Sequence, residues 1–544
     1  MKKLFIENES PIAPSKKGLA SAVISGSADM YGACSIENFS SASPLSLTHE
    51  DAQGWIDYVT KFTPGNFWYK DAGVQVWMYE EAFDNWQDTY GTDAVVAFYH
   101  SGHGNMDGNG VFQAPLGSKW DNRDWAFSNR MSLGNETVRY LFWSTCFSLR
   151  VFGAHNPIRT WHSVNQGFRM LFGFETTSVD NPNYGKFFWE EWNKGKSFST
   201  AWLDASWRIS QNQVPTVVAT GVSAAEAQAR VYNERNFFGA AGSRNYYHWR
   251  WYNAASMVQA GINAMNYDLQ VPPMVALFST ENDQAERAAK VANALGLSKK
   301  STNQLLYDRY GAAYFQDKNK KATISNDGHI NIHTGDFNFK NTDAYDQVKA
   351  VELSKNVIAE CGIDKIANLE LEKVVHGYSC SGSTKGSGKI GEPSIGETIV
   401  QYRQMINGLP SINAGNGIVR VVIDNDGKVT NVFDSTKQVV DVKRKKDNAM
   451  APSPDKKAAG KTSGPIADKA KLEEAFSLEL KKILAANQQQ SAAGAAKTEK
   501  PIIIEEKIGY NLNSGQGTVE AQREYEADLG YGLKKRYKIR IPIY

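Results

Sequence analysis

Ala94-Val95-Val96-Ala97-Phe98-Tyr99-His100-Ser101-Gly102-His103-Gly104 is an apolar run that ends on a glycine-flanked histidine. A short run rich in β-branched and aromatic residues and closed by glycine reads as a strand buried on both faces. Arg139-Tyr140-Leu141-Phe142-Trp143-Ser144-Thr145 repeats the pattern and runs straight into Cys146. Gly73–Tyr79 and Phe168–Phe174 are two more runs of this kind. Helix-like stretches separate them: one opens at Thr48, with Asp51 as an imperfect capping box, and continues through Val59. Others cover Glu80–Tyr90, Gly185–Arg208 and Ala224–Phe237. Apolar strands alternating with helices predict an α/β fold with a mostly parallel sheet, covered on both faces.

Working outward, every tryptophan lies between Trp55 and Trp251, and Val271-Pro272-Pro273 follows as a joint. The first domain is therefore expected over residues 1–270. Residues 275–441 read as an α+β domain, with helices Asp283–Leu295 and Ala344–Cys361. Its extended segments include Lys373–Tyr378, Thr398–Met405 and Val419–Phe433, the last turning at Asp424-Asn425-Asp426-Gly427. Residues 442–466, rich in Lys, Pro, Ser and Ala, read as a flexible linker. Residues 467–544 read as a helix, a Gln/Ala tract and a strand-rich tail.

Composition narrows the function classes. A formal net charge of +2 over 544 residues points to neither nucleic acid nor an anionic membrane. No apolar run approaches the roughly 18 residues of a membrane span. The N-terminal Met1-Lys2-Lys3-Leu4-Phe5-Ile6-Glu7 is interrupted by acid before any signal-peptide core forms. The expected location is the cytoplasm, or export without a recognisable signal. Four cysteines in so long a chain are no disulfide scaffold, although Cys361 and Cys380 are a pair to check.

The chemistry is expected where the two apolar strands end. Ligands of open α/β sheets bind outside the carboxyl ends of the strands, so adjacent parallel strands would carry His103 and Cys146 to one rim. A thiol needs a base or a nearby cation to supply thiolate at neutral pH. The amides of Gly104 and Cys146 are the expected oxyanion donors.

This pattern resembles the clan of cysteine peptidases that contains caspases, legumains, gingipains and clostripain (clan CD). In that clan a hydrophobic block precedes His-Gly, and a second block precedes a small residue and Cys. Here the blocks are Val95–Tyr99 before His103-Gly104 and Tyr140–Trp143 before Thr145-Cys146. The resemblance covers roughly residues 30–265, and Gly-His-Gly with Trp202-Leu203-Asp204-Ala205 is similar to an uncharacterised bacterial caspase-like family. It implies a caspase-like α/β/α sandwich, an α+β region after it, and hydrolysis of a protein or peptide substrate through a thioester. It also implies that Glu175 and Thr176 border the substrate pocket, with Glu175 selecting basic residues. Thr145 departs from the Ala or Ser common before the nucleophile, and no caspase-type Gln-Ala-Cys-Arg-Gly occurs. The rival reading is a catalytically inactive binding or effector protein on the same scaffold.

Val400–Pro410 and the Val421–Gly427 hairpin resemble PepSY-like modules, which implies that the C-terminal half is an intramolecular partner that packs on or restrains the first domain. The segment 442–500 is a candidate site of self-processing. No cofactor or metal is expected. His100 and His103 lack further ligands at readable spacing. Asn105-x-Asp107-x-Asn109-Gly110 imitates a calcium loop, but Leu116 stands where the bidentate Glu belongs. Calcium dependence remains only as an implication of the resemblance. His155 and His162 are alternative bases. Gly382–Lys389 fails the phosphate-loop spacing and reads as a loop.

Overall fold

The computed structural model describes residues 4–5, 10–12, 29–254, 274–278, 284–307, 312–335, 337–385, 388–444, 469–488, 500–512 and 515–543. The 271–273 joint, the linker beyond 444 and the Gln/Ala tract beyond 488 lie outside these residues, as do Gly386 and Ser387.

Five parallel strands build one end of the main sheet. They are β1 (Tyr31–Ser35), β2 (Phe67–Lys70), β3 (Ala97–Ser101), β4 (Tyr140–Ser144) and β5 (Met170–Phe174), in spatial order β2-β1-β3-β4-β5. Antiparallel β6 (Pro215–Gly221) and β7 (Tyr246–Tyr252) follow on the β5 side. The second half adds β8 (Ala313–Asp317), β9 (Lys320–Ile324), β10 (Ile330–His333), β11 (Asn368–Ser383), β12 (Ser394–Ile406), β13 (Ile418–Asp424) and β14 (Val429–Asp434). β7 pairs with β11, so the two halves share one mixed sheet, seventeen strands long among the described residues. The sheet is mostly antiparallel, which corrects the expectation of a mostly parallel one. Only the N-terminal block obeys the strand–helix alternation from which that expectation came.

The last residues form β15 (Ile502–Asn511), β16 (Gln516–Asp528) and β17 (Lys534–Pro542). With Met274–Phe278 and Val439–Arg444 they make a second, five-stranded antiparallel sheet. The helices that matter below are α1 (Thr48–Val59), α2 (Tyr184–Asn193) and α3 (Phe198–Ile209).

Period-two alternation sends the parallel strands' side chains into two cores. Tyr99, Tyr140, Phe142 and Phe172 pack under α1, α2 and α3 with Trp55, Trp189 and Trp202, while Phe98, Leu141, Trp143 and Leu171 face the other side. The Phe142 and Phe172 rings stack at 4.1 Å. Trp55, Trp143, Trp161, Trp189, Trp192, Trp202, Trp207 and Trp249 are fully buried and serve packing, whereas Trp86 and Trp120 are exposed.

Three local expectations are corrected. Gly73–Tyr79 is two 3-10 turns, and the strand is Phe67–Lys70 just before it. Gly185–Arg208 is two helices, broken where Gly195 takes φ +91°. Asp51 does not cap α1; it points inward and accepts hydrogen bonds from Tyr99 (2.9 Å), Ser101 (2.8 Å) and the Gly185 amide (2.9 Å). The 424–427 turn has the geometry read from sequence, with Gly427 at φ +77°.

Candidate active site

Strand register decides where the two residues of interest stand. Ser35, Ser101 and Ser144 pair across β1, β3 and β4 and form a row at their carboxyl ends. His103 and Cys146 each lie two residues beyond that row, on adjacent strands. Gly104 and Cys146 are so close that a Cβ on Gly104 would sit 2.9 Å from the Cys146 carbonyl oxygen and 2.8 Å from Thr145 Oγ1. Glycine at 104 is thus required by the approach of the two loops. Phe147, just past the cysteine, takes φ +53°, a strained conformation for a bulky residue, and its amide donates to the Thr176 carbonyl at 3.2 Å. Such strain is held only where the surroundings over-determine it, often at sites of function.

The Cys146 thiol is fully buried, yet the side chain is not sealed by core. Its sulfur lies 3.4 Å from Ser178 Oγ, accepts from the Ser178 amide at 3.3 Å and donates to the Lys534 carbonyl at 3.1 Å. Lys534 opens β17, so the lid on the sulfur is the C-terminal strand. β17 runs beside the segment after β5: the Asp180 amide donates to the Arg536 carbonyl (2.9 Å) and the Arg536 amide to the Ser178 carbonyl (3.2 Å). The turn before β17 wedges Leu529 and Leu533 against Ala42 and Phe39. Arg536 Nη1 donates to the Asn212 carbonyl (2.5 Å), and Lys538 Nζ to that of Ile209 (2.6 Å).

His103 is also buried. Its Nε2 donates to the Ser43 carbonyl at 2.9 Å, because a carbonyl can only accept. Nδ1 is therefore the unprotonated nitrogen, and it has no hydrogen-bond partner. Phe39 packs on the ring, with centroids 4.8 Å apart. Burial, reinforced by the nearby Lys535 cation, pushes the imidazole down to about 3, with the Ser43 bond opposing this. The ring is neutral at physiological pH, as a proton acceptor must be. The thiol's partners are Ser178 and Lys534, not the imidazole.

The other sequence-named residues divide clearly. Neither the Gly104 nor the Cys146 amide donates a hydrogen bond among the described residues, so both are available as oxyanion donors. Glu175 is engaged by the loop after Cys146: it is buried, lies 3.2 Å from Arg150 Nε and accepts from the amides of Val151 and Phe152 (the latter 3.2 Å). Its carboxylate shapes the loop after Cys146. Thr176 is likewise a support, accepting from the Phe147 amide on its carbonyl and from the Val214 amide on Oγ1 at 3.0 Å. Asp180 accepts from the Ser46 amide at 3.3 Å, and the charge of Lys535 acts on it. His100 Nδ1 pairs with the Tyr79 hydroxyl (2.8 Å), and His162 Nδ1 with that of Tyr247 (3.0 Å). His155 sits beside Gly110 and Thr160.

The calcium-like stretch is a tight polar turn. Asp107 Oδ1 accepts the Asn109 and Val111 amides, both at 2.9 Å, and Leu116 is buried in a hairpin strand. Among the described residues no group of three or more His, Cys, Asp or Glu side chains could hold a metal. Cys361 and Cys380 are free thiols in different cores and do not pair.

Sequence reading missed Ser43, Ser178, Asp180 and Lys535, which carry no motif. It also missed a Ser35–His49–Asp71 chain, with Ser35 Oγ 2.8 Å from His49 Nδ1 and His49 Nε2 3.1 Å from Asp71 Oδ2. Ser35 is fully buried and its Oγ also accepts from Trp68 Nε1 at 3.0 Å, which ties the chain into the β1–β2 packing. Asp71 instead receives the Glu37 and Asn38 amides (2.8 and 2.9 Å), which anchors the loop that carries Ser43. A cleft of about 920 Å³ opens elsewhere, among α1, α2, Asp327, His329 and Arg540, and includes neither His103 nor Cys146.

Fold and site together define an α/β protein with a histidine and a cysteine on the carboxyl rim of a parallel block. Residues 32–251, which hold that whole block, match a family described as a domain of unknown function (DUF6345). No curated protein matches the chain. No helix among the described residues is long and apolar enough to cross a membrane.

Proposed function

We propose that the chain is a caspase-like cysteine endopeptidase, with Cys146 as nucleophile and His103 as base. The reading is carried by one observation: equal offsets beyond the paired ends of β3 and β4 bring a thiol and a neutral imidazole to the same rim. The strand order β2-β1-β3-β4-β5, followed by an antiparallel β6, supports the caspase-like comparison.

In the mechanism His103 Nδ1 takes the thiol proton and Cys146 sulfur attacks the scissile carbonyl carbon. The oxyanion is received by the free amides of Gly104 and Cys146. His103 then protonates the departing amine, leaving a thioester. Water attacks the thioester, gives its proton to His103, and Cys146 is regenerated. The Ser43 carbonyl holds the ring in the tautomer this needs, as an orienting acceptor does in related hydrolytic sites.

A second reading, an inert binding protein, is favoured by the buried thiol and by its bonds to Ser178 and Lys534 rather than His103. A panel of fluorogenic peptides, assayed with the wild-type chain and with Cys146→Ala, separates the two. Hydrolysis lost in Cys146→Ala and in His103→Ala supports the peptidase. Equal turnover by Cys146→Ala removes the dyad.

A further inference from the structure

Lys535 is a basic side chain only 3% exposed, deep between β17 and the 176–180 segment. Its Nζ donates to Ser178 Oγ at 3.2 Å, and no carboxylate lies within ion-pair distance of it among the described residues. Burying an ammonium with so little compensation is costly, so the position needs a cause outside simple stability. The backbone supplies one. Lys534–Arg536 makes strand-type hydrogen bonds to Ser178 and Asp180 while presenting the Lys534 carbonyl to Cys146. An extended peptide added to a free strand edge gains its affinity from such main-chain bonds and its selectivity from side-chain pockets.

We propose that the Ser178–Asp180 segment is the binding edge for an extended peptide bearing a lysine side chain, and that β17 occupies it as a built-in competitor. This rests on the rim being the substrate cleft of the preceding reading. Ser178 Oγ receives the ammonium, and the electrostatic partner across the pocket is Asp180. The Lys534 carbonyl oxygen, rather than its carbon, meets the sulfur. β17 is therefore held as an occupant, not as a bond in position for cleavage. The same strand hides the thiol, so opening the site requires the C-terminal hairpin to lift. An ammonium held without a direct ion pair weakens docking and makes that exchange reversible.

The test measures alkylation of Cys146 by iodoacetamide in the full-length chain, with Cys34, Cys361 and Cys380 as internal controls of folding. In wild type Cys146 reacts no faster than these three buried thiols. Lys535→Glu sets a carboxylate beside Asp180, and Cys146 alkylation rises at least tenfold while the controls do not change. Lys535→Met gives a smaller rise, and serves if the first variant fails to fold. An acetylated peptide of sequence 532–538 added to Lys535→Glu restores protection, and the same peptide with Glu at the position of Lys535 does not. Unchanged alkylation in both variants, a freely reactive wild-type Cys146, or equal protection by the two peptides would overturn the proposal. If alkylation and protection behave as stated while no peptide is cleaved, the peptidase reading fails and the lysine-binding edge stands.

Discussion

β4 and β17 both bring backbone to Cys146, one from two residues away in the chain and the other from 388. β4 belongs to a block whose strands are apolar throughout, pair in parallel and bury tryptophan-rich helices on one face. β17 alternates, Lys534-Lys535-Arg536-Tyr537-Lys538-Ile539-Arg540-Ile541, and keeps only part of its surface in a core. The first kind of strand is shaped by the hydrophobic effect and makes a rigid rim. The second is a basic ribbon laid across that rim by hydrogen bonds, such as Arg536 Nη1 to the Asn212 carbonyl at 2.5 Å. The proposed reading puts chemistry on the rigid element and control on the adjustable one, as expected where regulatory segments come from the less stable parts of a fold.

The sharpest way to break that division is chemical. In the Lys535→Glu background, Cys146→Ala should lower peptide hydrolysis by about a thousandfold or more. Retained turnover would move the reaction off the rim. The next effect is on the scaffold. Glu191 on α2 is buried among Lys194 (2.5 Å), Lys196 (2.6 Å) and Arg208 (3.1 Å), and those charges hold it well below the usual carboxylate range. Glu191→Ala takes the carboxylate from buried Lys194 and leaves Lys196 only Asp204 and Arg208 only Glu190, and should cost about 3–5 kcal/mol in urea unfolding.

Leu533→Ala tests the hairpin itself. Leu533 is fully buried with Ala42 and Tyr537, so truncation should cost about 2–3 kcal/mol and speed Cys146 alkylation. A loss of stability without faster alkylation would mean that the hairpin is structural only.

The smallest effect is a slope with pH. His103 sits at about 3 in the fold, against an ordinary value near 6.5, because of burial and then Lys535. The unfolded chain therefore binds the extra proton first. Its contribution to stability is complete above about pH 6.5 and is lost as pH falls toward 3. His103→Ala should flatten the pH dependence of unfolding between pH 6.5 and 5.5 by up to ~1.4 kcal/mol per pH unit. An unchanged slope would mean that His103 is not held neutral.

Local pattern carried the reading of the rim, and it failed where neighbours in space are distant in sequence. Ala94–Gly104 and Arg139–Cys146 were legible because a doubly buried strand must be apolar at every position, and because glycines mark a sharp exit. Gly73–Tyr79 looked alike but folds as 3-10 turns, since composition alone does not separate a buried turn from a buried strand. Glu175 was misread for another reason: whether an acid meets substrate or loop amides depends on where its neighbours fold, and Arg150 with Val151 and Phe152 took it.

By itself, then, the chain's order of residues determined the two apolar strands, their exits, and a histidine and a cysteine set two residues beyond them. Period and burial are properties of adjacent residues, so they can be read along the chain. Only the tertiary structure decided that Ser43 orients the ring, that Ser178 and Asp180 line the edge, and that Lys534–Arg536 covers the sulfur. Those contacts come from docking one sheet on another across hundreds of residues, and no local preference encodes which carbonyl will meet which thiol.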